Sequence, residues 1–135
     1  MLFTLALTGC KGGNLSLMNT VDVDLTALTS TMVYSEVYNM VTTPEDYIGK
    51  TVKMEGSFSI YEDPDINERY FACLIADATA CCQQGLEFVP NDEFQYPQDF
   101  PEDGEDIIVV GQFETYTAGD RVFCRLVDCQ INTDA

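Results

Sequence analysis

The residues of this chain best equipped for chemistry are its six cysteines: Cys10, Cys73, Cys81, Cys82, Cys124 and Cys129. Thiolates bind soft metals, exchange disulfides and attack electrophiles. The chain has no histidine, so none of these thiols can be activated by an imidazole. That removes Ser-His-Asp and Cys-His nucleophile pairs, His-Glu-x-x-His zinc sites and a histidine general base. Carboxylate pairs remain available in principle, since Asp and Glu suffice for glycosidases. The acids here gather in loop-like stretches, as solvated charge does, and a non-enzymatic role is expected.

The elements that must position the thiols follow from hydrophobic periodicity. Ser30 to about Val41 predicts a helix, with Ser30 as its cap and Val33, Val37, Met40 and Val41 on one side. Thr43-Pro44-Glu45-Asp46 then reads as one helical turn ended by Gly49. From Lys50 to Tyr61, Val52, Met54, Phe58 and Ile60 alternate with Lys53, Glu55, Ser57 and Ser59, the pattern of a half-buried strand. Gly56 falls on the apolar face, where a missing side chain permits a bend. Further strands are expected over Arg69–Ala76, Cys82–Val89, Asp106–Tyr116 and Arg121–Ile131. Turns at Asp77–Ala80 and Thr117–Asp120 join them, together with a long acidic connection from Pro90 to Asp106.

Five strands, a glycine-bent first strand and one long insertion between the third and fourth suggest a mainly β protein. The expected architecture is a small five-stranded barrel preceded by a short helix. Tyr47-Ile48-Gly49-Lys50-Thr51-Val52-Lys53-Met54-Glu55-Gly56 resembles the opening of oligonucleotide/oligosaccharide-binding (OB) barrels, and Asp106-Ile107-Ile108-Val109-Val110-Gly111-Gln112-Phe113 resembles their fourth strand. Such a barrel sets the third strand between the second and the fifth. A tight second turn would then place Cys82 opposite Ile75, near Cys73, with Cys124 on the same face and Cys81 turned away. Cys129 joins that face only if a bulge follows Leu126.

Three readings of the thiols stand open. Each can be a small buried hydrophobe, or they can form a disulfide set in an oxidising compartment, against which speaks the odd count of five that remains once Cys10 is set aside. Alternatively Cys73, Cys82 and Cys124 hold zinc or copper(I), with Cys81 and Cys129 as weaker candidates, although no Cys-x-x-Cys knuckle exists.

Composition and the first residues bear on where the protein acts. Leu7-Thr8-Gly9-Cys10 after an uncharged apolar run resembles a bacterial lipoprotein signal. The resemblance implies that residues 1–9 are removed and that Cys10 is lipidated. Residues 10–29 then form a flexible tether and 30–135 the folded domain, held at the outer face of the cell membrane. A net charge of -17, from 23 acids against 6 bases, repels phosphate backbones and anionic headgroups alike. Nucleic acid is therefore not an expected partner, and membrane attachment is expected through acyl chains alone. The stretch from Tyr70 to Phe88 resembles lipoproteins of unassigned function from anaerobic Gram-positive bacteria. More distantly it is similar to the extracytoplasmic part of a family of permease subunits, which implies an accessory or binding role beside a membrane transport protein.

The ligand face of such a barrel borders its first strand-to-strand loop and its last turn. Tyr61, Tyr70 and Tyr116 are the aromatics expected there, as a platform for a sugar or peptide. In the same loop Asp63, Asp65 and Asn67 have the opening spacing of a calcium loop. Glu68 and Leu74 stand where Gly and Glu are required, so a solvated turn is expected instead.

Overall fold

The computed structural model describes residues 21–76 and 83–132. The segment expected to be a lipoprotein signal, Cys10, the turn expected at Asp77–Ala80, Cys81 and Cys82 lie outside them. Among the described residues the fold is mainly β, one mixed sheet of six strands with a single α-helix. In chain order these are β1 (Val23–Asp24), α1 (Ser30–Thr42), β2 (Thr51–Asp63), β3 (Glu68–Ala76), β4 (Gln83–Pro90), β5 (Asp106–Ala118) and β6 (Arg121–Asn132). The expected strands are all present, each within about two residues of its sequence bounds.

The sheet order is β1-β2-β3-β4-β6-β5, and β2 pairs with β5 as well. Two pairings are parallel, β1 with β2 and β4 with β6; the others are antiparallel. β2 divides its length between two partners. Thr51–Ser57 lie against β5 and Ser57–Asp63 against β3. Gly56 sits at the change of partner, where an added Cβ would run into the Leu74 carbonyl oxygen and come within 3.0 Å of Cys73 Sγ. Only a residue without a side chain lets β2 pass β3 so closely.

Alternation fills the interior as the sequence pattern requires. Val52, Met54, Phe58, Cys73, Leu86, Phe88, Ile107, Val109, Phe113, Leu126 and Cys129 form one buried cluster. Among the described residues no polar or charged side chain is buried.

The helix is capped one residue earlier than expected. Thr29 is extended and its Oγ1 accepts a hydrogen bond from Met32 N at 3.4 Å, so Ser30 is the first helical residue. Val37 and Met40 are fully buried, with Val33 and Tyr34 packed beside them, while Val41 remains 36% exposed. The buried stripe is narrower than the sequence pattern; α1 packs on β3, β4 and β6 and on the turns at Leu25–Ala27 and Pro44–Asp46. Gln84 Nε2 on β4 donates to the Tyr34 carbonyl oxygen, and Cys124 Sγ on β6 points at that of Met40.

Two stretches read as loop material contribute to the fold. Val23 and Asp24 pair with Val52 and Lys53, and Leu25 beside them is 1% exposed, so the lead-in joins the domain from there rather than remaining tether to residue 29. Leu25 belongs to a 3-10 turn that hides one apolar side chain in three, a pattern too short to register as a period. The acidic connection between β4 and β5 carries Phe94, Tyr96 and Phe100, all packed on the core. Its last residues run along β2: Phe58 N donates to the Glu105 carbonyl oxygen, Gly104 N to that of Phe58, and Ile60 N to Asp103 Oδ1.

Candidate functional site

The thiols fall into separate environments. Cys73 on β3 is fully buried opposite Phe58 and Leu86. Cys129 is fully buried on β6, and it faces inward because the strand bulges. Val110 pairs with Gln130 but Gln112 with Val127, so Gly111 faces two residues, and Asp128 takes up the extra length with φ 53°. The condition set for Cys129, a bulge after Leu126, is met. Cys124, half-buried, lies against the end of α1, 3.9 Å from the Met40 carbonyl oxygen.

These three cysteines are free rather than bridged. Burial, helped by the Glu55 carboxylate, pushes the Cys73 thiol from 9.0 up to about 12. Burial does the same for Cys129, to about 12, with Asp128 and Cys73 adding to it and the Val89 backbone pulling the other way. Cys124 is also raised by burial. Ligation and exchange both require thiolate, so these environments hold the sulfurs in the less useful form. Among the described residues no three Cys, Asp or Glu side chains gather as a metal site.

The register between β3 and β4 corrects one step of the thiol argument. The tight second turn placed Cys82 opposite Ile75, but Gln84 stands there. The connection is two residues looser than assumed, and the supposed convergence of Cys82 with Cys73 loses its basis.

The three tyrosines are brought together. Tyr61 and Tyr70 face each other across the β2–β3 hairpin, and Tyr116 stands on the β5–β6 hairpin. All three line one groove of about 590 Å³ on the outer sheet surface, floored by Ala72, Leu74, Gly85 and Glu87 and closed on one side by Phe123. The two hairpins form its walls. Period-two alternation puts Tyr70, Ala72 and Leu74 on the face opposite Phe71 and Cys73, which fill the core.

Carboxylates and cations fix the rings. Tyr116 Oη donates to Glu87 Oε1, and Tyr70 Oη donates to Glu68 Oε1 at 2.8 Å. Tyr116 is pushed up to about 12, first by burial and then by that bond to Glu87. Tyr70 is raised chiefly by its bond to Glu68, with Asp63 and Glu87 adding to the effect. The charge of Glu87 thus acts on both tyrosines. Arg125 lies over the Tyr116 ring at 4.3 Å and pairs with Glu114 at 2.8 Å, while Tyr116 stacks on Phe123 at 5.6 Å.

Sequence reasoning missed Glu87, Phe123 and Arg125. The signal for Glu87 and Arg125 was present, for each lies between two inward residues of a strand that alternation turns outward beside the tyrosines. Of the residues considered for calcium, Asp63 serves the turn itself, its Oδ1 accepting from Asp65 N at 3.0 Å. Among the described residues no helix is long and apolar enough to cross a membrane. Neither a family model nor a curated protein matches the chain.

Proposed function

We propose that this chain is a binding module anchored by lipid at Cys10 on the outer face of the cell membrane, built on an OB-like barrel and serving beside a membrane transport protein. The barrel reading draws support from the pairings: β2 to β3, β3 to β4, β4 to β6, β6 to β5 and β5 back to β2 form a ring. The parallel contact of β4 with β6 is the one expected of an OB order. Helix α1 supports one end of that ring, against β3, β4 and β6, and Phe100 packs on Phe58, Phe71 and Phe88 elsewhere in it.

The observation that carries the binding reading is the groove in which Tyr61, Tyr70 and Tyr116 meet. Recognition sites are concave and aromatic, with a few oriented polar groups, and Glu87 supplies such a group here. No catalytic step is assigned to it. The thiol-based alternative, metal handling with zinc or copper(I) or redox exchange, draws no support from Cys73, Cys124 and Cys129, whose surroundings favour the protonated form.

Two experiments test the reading. Cys10→Ser should shift the protein in cells from the membrane fraction to the soluble one; unchanged retention refutes the anchor. Metal analysis and thiol counting on protein purified without oxygen should find no stoichiometric zinc or copper. Stoichiometric metal would move the function to the thiols.

A further inference from the structure

We propose that the groove selects an extended cationic peptide segment, its Lys or Arg side chains seated on the tyrosine rings against Glu87. The inference rests on the groove being the binding site and adds the class of its ligand. Among the described residues four rings already carry an intramolecular cation: Lys50 lies over Tyr47 at 5.6 Å, Arg69 over Tyr96 at 4.8 Å, Arg121 over Phe123 at 5.5 Å and Arg125 over Tyr116 at 4.3 Å, whereas Tyr61 and Tyr70 carry none. Tyr61 is 52% exposed, and its side chain makes no hydrogen bond, ion pair or ring contact among the described residues. A bare ring beside acidic side chains attracts a cation through its quadrupole and through charge together.

The local charge has the right sign. Arg69 is paired with Glu62 at 3.3 Å and Arg125 with Glu114 at 2.8 Å. These pairs cancel, which leaves Glu68 and Glu87 at the tyrosines, with Asp63 near, against Arg121 on the far hairpin. The protein's overall -17 draws a basic ligand in and rejects an acidic one. Shape favours a chain over a small ion. The site is an open trough of about 590 Å³ between two hairpins, and an extended peptide presents side chains to such a floor at alternate positions.

The test is amide chemical-shift mapping on the folded protein with three probes: a short Lys-Gly repeat peptide, its Glu-Gly counterpart and a neutral oligosaccharide. The Lys peptide should shift Tyr61, Tyr70, Glu87 and Tyr116 saturably, and the other two should not. Glu87→Gln, which keeps an oxygen for Tyr116, and Tyr61→Ala should each weaken binding by about tenfold or more. Asp92→Asn removes the same charge from the exposed connection and should leave affinity unchanged, and thermal unfolding of each variant checks that it is folded. Groove shifts with the oligosaccharide, without preference for Lys over Glu, would overturn the cationic ligand and leave the groove standing. Lys-peptide shifts scattered over the acidic surface, weakened equally by Asp92→Asn, would also overturn it. No groove shift with any probe would remove both this inference and the reading beneath it.

Discussion

Gly111 on β5 lies directly against the sulfur of Cys129 on β6, so that a methyl group at position 111 would take the space Cys129 Sγ occupies. The β6 bulge makes this contact: it turns Cys129 inward at the one β5 position with no side chain to displace. Glycine and bulge are therefore one device. Gly111→Ala should destabilise the fold by about 2 kcal/mol or more. In a Cys129→Ala background the added cost should fall by about 1 kcal/mol, the remainder coming from the Val127 carbonyl oxygen at 2.8 Å. Denaturant titration of the four proteins measures the coupling, and strictly additive effects would refute it.

Gly56 makes a comparable demand on backbone rather than on a thiol. A side chain there meets the Leu74 carbonyl oxygen, which is fixed in the sheet. Gly56→Val should cost several times more stability than Ser57→Val, about 3 kcal/mol or more, because Ser57 faces away from the core. Equal, small losses in denaturant titrations would show that β2 does not need to bend at this point.

The buried thiols predict alkaline weakness. Cys73 and Cys129 titrate near 9.0 when unfolded and near 12 when folded, so between those values the native state binds more protons. Stability drawn from the retained protons is complete below pH 9 and is lost as pH rises toward 12. Tyr47, raised to about 12 by burial and by its bond to Glu36, and Tyr116 add to the loss above pH 10. Each thiol should contribute on the order of a few kcal/mol. Cys73→Ala should flatten the fall in stability between pH 9 and 11; an unchanged slope would assign the alkaline loss elsewhere.

The same burial predicts slow alkylation. In native protein at neutral pH, Cys73 and Cys129 should resist iodoacetamide while Cys124, half-buried at the edge of the groove, reacts faster. Mapping of modified peptides reads this directly. Rapid native labelling of Cys73 would mean that the core opens locally far more often than its packing implies.

How much of this was legible in the sequence varied with the length of the pattern. Alternation over Val52 to Ile60 and over Ile107 to Phe113 located the strands and their inward faces, whereas Tyr61, Tyr70 and Tyr116 followed from the resemblance to an OB barrel and its ligand face. Leu25 was missed because one buried side chain in a short turn has no period to detect. Cys129 required a bulge at Asp128, a residue whose left-handed backbone leaves no mark in hydrophobic alternation. The register of β4 depended on a turn length that periodicity does not encode, so Gln84 rather than Cys82 stands opposite Ile75.

The acidic connection between β4 and β5 shows most clearly what composition conceals. Its charge and prolines read as solvated loop, yet its aromatics lie on the core. Phe100 is within 4.8 Å of Phe71, 5.5 Å of Phe58, 5.4 Å of Tyr96 and 6.4 Å of Phe88 between ring centroids. One ring thus joins β2, β3 and β4 to the connection that also hydrogen-bonds along β2. Phe100→Ala should cost about 3 kcal/mol, whereas Pro101→Ala beside it should cost under about 1 kcal/mol. It should also free residues 91–105 to exchange their amide hydrogens, Gly104 and Glu105 first, and with them Phe58 N and Ile60 N on the β2 edge. If Phe100→Ala left those four amides as protected as in the parent protein, the backbone hydrogen bonds alone would be holding the connection and the aromatic cluster would be a passenger.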